Sequence, residues 1–328
     1  WRVYPTYIYA HPIEDALENI THSFATLEFV EHGAFYDWVL GHLIRLGLLQ
    51  APAPKQYEFG RLNLSHVITS KRKLKALVDE GHVTGWDDPR MPTLAGLRRR
   101  GYTPPALRKF VEDTGASRHA IWLPYTTLEQ ALRDDLEGRA PRAMGVIDPL
   151  LLELTNWGEV YGDAHLEACT APVHPQRPEL GQRSFLLGPR LWIDHQDFSE
   201  SPAKEFHRLH PGNRVRLKYG LIVECTGCRK DDQGQVLAVL ARVVPGTRSG
   251  TAGTEQVKVK GTITWVGVHD AVPATLQLFD HLFSVPRPDD EGGDFRRHLN
   301  PASWRSAHGY VEPSLAAAAA EHHVQFER

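Results

Sequence analysis

The 328-residue sequence lacks any apolar run approaching the roughly 20 residues of a membrane-crossing helix, so no membrane partner is expected. It is poor in cysteine. Cys169, Cys225 and Cys228 form an odd, sparse set that argues for a reducing, cytoplasmic setting rather than a disulfide framework. Cys225 and Cys228 have the spacing of a metal-ligand pair, but no second such pair completes a tetrahedral set. No metal site is expected, and the segment reads as a turn between two strands. A strong net charge is also missing: the formal −3 excludes a uniformly basic nucleic-acid-binding surface. There is no signal-peptide pattern and no internal repeat. The chain begins at Trp1 rather than Met and stops at Arg328 within a polar stretch, which reads as a piece of a longer protein.

What is present is an ordinary globular composition, 41% hydrophobic and 23% charged, over a length that suits two or three domains. The charge is unevenly spread. Residues 55–110 hold 12 basic and 5 acidic side chains, a net of +7, whereas residues 1–54 hold 2 and 6, a net of −4. Such asymmetry steers a polyanion to one face of a nearly neutral protein. The basic side chains cluster at 70–75 and at 98–100, in a Ser-Lys-Arg-Lys sequence at 70–73 and a triple arginine.

The first part alternates helix and strand. Ile13, Ala16, Leu17 and Ile20 recur at helical spacing within 13–23, and 24–30 reads as a buried strand. An amphipathic helix at 35–49 leads through a proline-rich connector, 51–55, to a second strand region at 57–68. Strand, helix and strand predict part of a parallel α/β sheet. The next part, 71–138, reads as helical. Thr93 caps a helix at 94–100 that Gly101 ends. Pro104 and Pro105 open another, which Gly115 closes, and a third runs over 128–136. From 143 the pattern changes to short strands at 146–147, 150–154, 184–187, 214–223, 236–244, 257–266 and 276–283. These predict one or two β-barrels or a sandwich. The alanine-rich run at 316–320 carries no clear meaning.

The Ser70-Lys71 pair follows a strand and precedes a basic helix. The amides of a helix start, a hydroxyl and an ammonium in that order suit a polyphosphate. Around it lie Tyr-Glu-Phe-Gly-Arg-Leu-Asn at 57–63, Ile-Thr-Ser-Lys-Arg-Lys-Leu at 68–74, Gly-Trp-Asp-Asp-Pro-Arg-Met-Pro-Thr at 85–93 and Leu-Arg-Arg-Arg-Gly-Tyr-Thr at 97–103. This series resembles the class I aminoacyl-tRNA synthetases of the glutaminyl type, with 68–72 similar to the family's second ATP motif, the KMSKS loop. Upstream, 20–29 is similar to the catalytic-domain pattern. Downstream, 140–149, 191–195, 264–266 and 324–328 are similar to the anticodon-binding part, so the likeness covers the whole chain.

The resemblance implies a multidomain α/β plus all-β protein. Residues 1–68 would be the second half of a Rossmann-type class I catalytic domain, and 69–140 the KMSKS-type loop and a helical connector. Residues 141–328 would form two anticodon-binding β-barrels, the distal one at 152–262 and the proximal one from 141–151 and 263–328. It further implies ATP, with Mg2+, L-glutamine and the tRNA for glutamine as partners, and a monomer. Lys71 and Ser70 would be catalytic. Thr26, Arg61, Leu62, Thr69, Ser70 and Lys71 would bind ATP, and Tyr7, His11 and Gln56 would hold glutamine. Arg142, Gln176, Arg208, Gln325 and Arg328 would meet the anticodon, and 122–129 matches a tRNA-contacting linker. The sequence departs from the family pattern in several places. The first ATP motif, HIGH, is absent, and most of the acceptor-stem-binding insertion is missing. Thr69 stands where Met is usual, Ala25 where Cys is common and Gln176 where Asn is common, and the connector at Pro54 is longer. Two other readings stay open: a glutamyl-tRNA synthetase of archaeal or eukaryotic type, and, for this chain alone, a tRNA-binding module without activity.

Overall fold

The computed structural model describes residues 2–251, 257–290 and 292–327. The chain divides into two compact units. One comprises Trp1–Leu132 with His281–Asn300, and the other Arg133–Asp280 with Pro301–Arg328.

The first unit opens with α1 (Tyr7–Leu17), β1 (His22–Thr26), a 3-10 turn (Leu27–His32), α2 (Gly33–Arg45), β2 (Lys55–Phe59) and β3 (Leu62–Leu64). α1 begins six residues before the helix predicted at 13–23. Extended Thr6 starts it, and it runs through Pro12. It stops ahead of Asn19, which adopts a left-handed φ of 59°. The strand predicted at 24–30 is shorter than expected. β1 pairs in parallel with β2 from His22↔Lys55 to Thr26↔Phe59, and the chain then winds into the 3-10 turn. The cluster at 70–73, expected on a loop, is a helix start: Ser70 is the extended residue before α3 (Lys71–Asp79).

Then come α4 (Leu94–Arg100), α5 (Pro104–Thr114), β4 (Ile121–Leu123), which pairs in parallel with β3, and α6 (Tyr125–Glu137), whose last turn groups with the second unit. The predicted Thr93 cap and Gly101 end are present, and Thr103, not expected as a cap, opens α5. The Gly96 amide donates to Thr93 Oγ1 at 2.9 Å, the Ala106 amide to Thr103 Oγ1 at 3.2 Å, and Gly101 closes α4 at φ 103°. The turn before α4 is held by Asp88, which is fully buried. Its Oδ2 accepts from the Thr84 amide at 2.9 Å, and its two oxygens take the Arg90 amide and guanidinium at 2.7–2.9 Å. Burial raises this carboxyl, but the Arg90 and amide hydrogen bonds outweigh it and hold the group at about 2. Gly96 lies so close to this turn that a Cβ would stand 2.5 Å from Asp88 O and 2.6 Å from Met91 O, which explains a glycine within a helix.

Two small apolar clusters fill this unit. Ile68, Leu74, Leu77, Val83 and Met91 pack with Leu282, Phe283 and Phe295; Tyr102, Phe110, Tyr125, Leu128 and Ala131 form the other. Segment His281–Asn300 is fastened to α3 by ion pairs Lys73–Asp289 and Arg296–Glu80, both 2.6 Å.

The second unit is β-rich: β5 (Arg142–Ala143), β6 (Gly145–Val146), β7 (Pro149–Leu154), α7 (Trp157–Tyr161), β8 (Glu167–Pro172), β9 (Gln182–Leu187), β10 (Arg190–Asp194), β11 (Arg214–Leu217), β12 (Ile222–Lys230), β13 (Val236–Val243), β14 (Gly261–Ile263), β15 (Val266–Gly267), β16 (Val272–Phe279), β17 (Trp304–Val311) and β18 (Gln325–Phe326). A seven-stranded sheet has the order β14-β11-β12-β13-β7-β10-β15; the others are β16-β17-β6, β18-β5 and β8-β9. In β7 Leu150, Leu152 and Leu154 alternate inward, as a half-buried strand requires. They join one large core around Trp157 and Trp265, whose indole N–H groups donate to His165 O and Lys218 O, both at 2.9 Å.

Three further expectations change here. The single strand predicted at 214–223 is a hairpin, β11 and β12, turning at Tyr219 with φ 60°. The single strand predicted at 257–266 is broken: Gly261–Ile263 pairs as β14 and Val266 opens β15 beside β10, while residues 252–256 lie outside the described residues. Cys225 and Cys228 lie not in a turn but within β12, across a bulge at Thr226. Cys225 is buried in the core, and the Cys228 thiol reaches Glu200 Oε1 at 3.3 Å.

Candidate functional site

In the first unit Tyr7, His11, Phe24, Thr26, Tyr36 and Gln56 line a pocket of about 210 Å³. The periodicity of α1 puts Tyr7 and His11 on one face, four residues apart, and their rings stack at 5.1 Å. Asp15, one turn further, and Ser23 on β1 both meet His11 Nε2 at 3.0 Å. Tyr36 from α2 donates to Asp15 Oδ2 at 2.8 Å. Burial, and then the Asp15 carboxylate, push the Tyr36 phenol far above its ordinary range, so it stays a neutral donor. Gln56 on β2 is 8% exposed, and its Nε2 donates to Glu58 Oε1 at 3.0 Å and Phe29 O at 3.3 Å. Thr26 ends β1 and donates to Glu28 Oε1 at 2.7 Å. Four residues named from sequence, Tyr7, His11, Thr26 and Gln56, are thus brought to one pocket. Asp15, Ser23, Tyr36 and Glu58, which fix their orientation, were not named. The one signal in the sequence was Asp15 at i+4 from His11.

Arg61, Leu62, Thr69, Ser70 and Lys71 lie elsewhere in the same unit. Arg61 is exposed at the start of β3, with its carbonyl accepting from the Ile121 amide, and Leu62 packs inward on the Tyr102 cluster. Thr69 is exposed, Ser70 stands at the N-cap of α3 without a side-chain cap bond, and Lys71 is the exposed first residue of that helix. Lys73 and Lys75 of the same cluster bond Asp289 and Asp79. Of the triple arginine, Arg99 pairs with Asp87 at 3.0 Å, and the Arg100 guanidinium lies 5.9 Å from the Tyr125 ring centre. In the linker at 122–129, the Trp122 ring carries the Arg287 guanidinium at 4.7 Å.

In the second unit β18 pairs in parallel with β5, which sets Gln325 opposite Arg142. Arg142 is held by Ala140 O at 2.7 Å and Glu137 O at 3.1 Å. The same Glu137 carbonyl meets His174 Nε2 at 2.8 Å, and His174 Nδ1 takes the Gln176 amide at 3.1 Å. Arg142, Gln176 and Gln325 therefore share one neighbourhood. Arg208 sits on a different loop, in an ion pair of 2.7 Å with buried Asp197. Arg328 lies outside the described residues.

Among the described residues no group of three or more His, Cys, Asp and Glu side chains stands ready to hold a metal ion. Among the described residues, too, no helix is long and apolar enough to cross a membrane.

Three family models match the chain. Residues 1–137 match the catalytic domain of the class I tRNA synthetases (E and Q), and residues 140–244 and 262–328 match two models of their anticodon-binding domain. The chain belongs to the class I tRNA synthetases of the E and Q group. Among its relatives are proteins named glutamine–tRNA ligase. That of Ralstonia pickettii (strain 12J) is 53% identical over 328 residues, covering 100% of this chain and 56% of the relative. That of Cupriavidus metallidurans is 52% identical over the same span, covering 56% of its length. That of Bordetella pertussis is 52% identical over 317 residues, covering 97% of this chain and 53% of the relative. The chain spans about half the length of the curated relatives it matches.

Proposed function

We propose that this chain carries the second ATP motif, the glutamine pocket and the anticodon-reading part of a glutamine–tRNA ligase. In the finer fold reading, 1–68 belongs to the second half of a Rossmann-type domain, 69–140 forms the loop and connector, and 141–328 forms two β-barrels. The protein is taken as a cytoplasmic monomer. The observation that carries the proposal is the pocket where Tyr7, His11 and Gln56 meet within a chain about half identical to such ligases.

The reaction is the activation of glutamine by ATP followed by transfer to tRNA. The glutamine carboxylate attacks the α-phosphorus in line and pyrophosphate leaves. A hydroxyl of the terminal ribose then attacks the adenylate carbonyl and AMP leaves. Negative charge builds on the phosphate oxygens in the first step, and the Lys71 ammonium at the start of α3 is the preorganised cation that meets it, with Ser70, Thr69 and the first-turn amides shaping the loop. Thr26, Arg61 and Leu62 take the remainder of ATP, and magnesium arrives with the phosphates rather than on a protein cage. In the pocket both Gln56 amide hydrogens are engaged by Phe29 O and Glu58, leaving its amide oxygen as an acceptor. An acceptor suits the carboxamide of glutamine and opposes the carboxylate of glutamate. The Asp15–His11–Ser23 contacts and the neutral Tyr36 phenol hold this lining in place.

In the β-rich unit Arg142, Gln176, Arg208, Gln325 and Arg328 meet unstacked anticodon bases and their phosphates, with arginine offering bidentate donors. The relatives' name favours this reading over a glutamyl-type enzyme. Lys71→Ala in the full-length protein is the test. ATP–pyrophosphate exchange, measured with saturating tRNA, falls by roughly 10²–10³ while tRNA affinity holds. Unchanged exchange overturns the assignment of the loop.

A further inference from the structure

A buried arginine fastens the C-terminal strand of the second unit, and none of the chemistry above uses it. Arg183 lies on β9 with only 3% of its side chain exposed. One arm of its guanidinium bonds Glu312 and the other bonds Glu327, while Nε donates to Pro172 O at 3.3 Å. The two carboxylates come from different places. Glu312 follows β17, is fully buried and accepts from the Met144 amide at 2.8 Å. Glu327 follows β18, its amide donates to Ala143 O at 2.9 Å, and its second oxygen takes the Tyr219 hydroxyl at 2.7 Å and Lys218 Nζ at 3.5 Å. Burying one guanidinium with two carboxylates leaves an excess negative charge, which Lys218 offsets.

The strand held in this way has little else to fix it. β18 has two residues, pairs among the described residues with β5 alone and carries Phe326 at 48% exposed. The ring of Phe326 comes close only because Gly145 has no side chain: a Cβ there would stand 2.8 Å from it. Apolar burial of β18 is therefore slight, and the Arg183–Glu327 pair supplies its anchor. The strand also bears Gln325, set opposite Arg142. We propose that Arg183 is a positioning residue: through Glu327 it clamps β18 beside β5, so that Gln325 and Arg142 present one preassembled surface to a nucleotide. This rests on the reading that Gln325 and Arg142 meet tRNA. Preassembly removes the ordering of a two-residue terminal strand from the cost of binding RNA.

The test uses the full-length protein and two tRNA transcripts, one cognate and one with a single anticodon base changed. Glu327→Gln keeps the side-chain size and the acceptor for Tyr219 but removes the ion pair. Arg183→Lys keeps the charge but loses the fork. For both variants the expected result is a rise of roughly tenfold in KM for cognate tRNA, little change in kcat, and a reduced cognate-to-changed ratio of kcat/KM. Faster amide exchange at 325–327 is expected to accompany it. A lowered melting temperature with the KM and the ratio unchanged overturns the proposal, leaving Arg183 as a packing element. Should Arg183→Lys fail to fold, Glu327→Gln decides alone. Gln325→Ala separates the two levels of the argument. If it leaves the ratio unchanged, the reading that β18 meets tRNA falls and the inference falls with it. If it lowers the ratio while the clamp variants do not, the inference alone falls.

Discussion

The first sixty residues and the β-rich unit are held together by different forces. Phe24 is 70% exposed, Tyr7 64% and Trp38 55%. Although Tyr36, Val39 and Leu40 of α2 are buried, among the described residues the fully buried members of the apolar clusters begin at Ile68, with Leu62 and Leu64 packing on the edge of one. Order around the pocket comes from directional contacts: Asp15 with His11 and Tyr36, Gln56 with Glu58, and a two-stranded parallel pairing. The β-rich unit is the reverse, with Leu152, Leu191, Val223, Val239 and Trp265 wholly enclosed in a single core. Hydrogen bonds orient side chains but contribute about 1 kcal/mol net each, whereas burial stabilises in proportion to area. The pocket region is arranged for geometry, and the β unit for rigidity.

That contrast can be broken or sharpened by substitution. Trp265→Ala should be the most damaging, costing about 3–5 kcal/mol in denaturant unfolding of the β unit. A loss under about 1 kcal/mol would deny that this core carries the unit. Asp88→Asn should cost about 3 kcal/mol, because the Arg90 guanidinium is left beside a neutral partner in a buried turn. The pH dependence has a definite sign. The folded carboxyl lies at about 2, below its ordinary 3.8, so its contribution is complete above about pH 4 and is lost as pH falls toward 2. Thermal melts across that window should show a shallower acid limb for Asp88→Asn than for the parent. Equal limbs would contradict the assignment. Tyr36→Phe should cost about 1 kcal/mol and raise KM for glutamine more than KM for ATP, since it loosens Asp15 and His11 rather than the helix start at Ser70. Phe24→Ala, at a largely exposed ring, should change the stability of this chain by less than about 0.5 kcal/mol; a loss matching Trp265→Ala would erase the contrast.

Local chemistry made much of the fold legible. The cap at Thr93, the proline start of α5 at Pro104 and the left-handed close at Gly101 follow from single residues and stand where expected. Pairing over longer distances did not follow in the same way. Whether 214–223 continues or turns depends on Tyr219 taking a left-handed conformation, which aromatic residues rarely signal. The strand predicted at 257–266 promised one ladder, yet Gly261–Ile263 pairs with β11 and Val266 with β10. The cysteine pair read as a turn between two strands, but it lies inside one strand, where the irregularity at Thr226 is a bulge. Of the pocket lining, Tyr7, His11, Thr26 and Gln56 were named through the family resemblance. Their supports Ser23 and Tyr36 were not, because a supporting side chain is recognised by what it touches, and Asp15 was marked only by its i+4 spacing from His11. Arg183 was hidden for the same reason: its partners lie 129 and 144 residues away.

The most direct measurement is charging by the full-length protein of the tRNA for glutamine, with glutamine and glutamate compared as substrates. The account predicts glutaminyl-tRNA, with kcat/KM for glutamine exceeding that for glutamate by orders of magnitude. Glutamate charged equally well, or no charging with either amino acid, would contradict it.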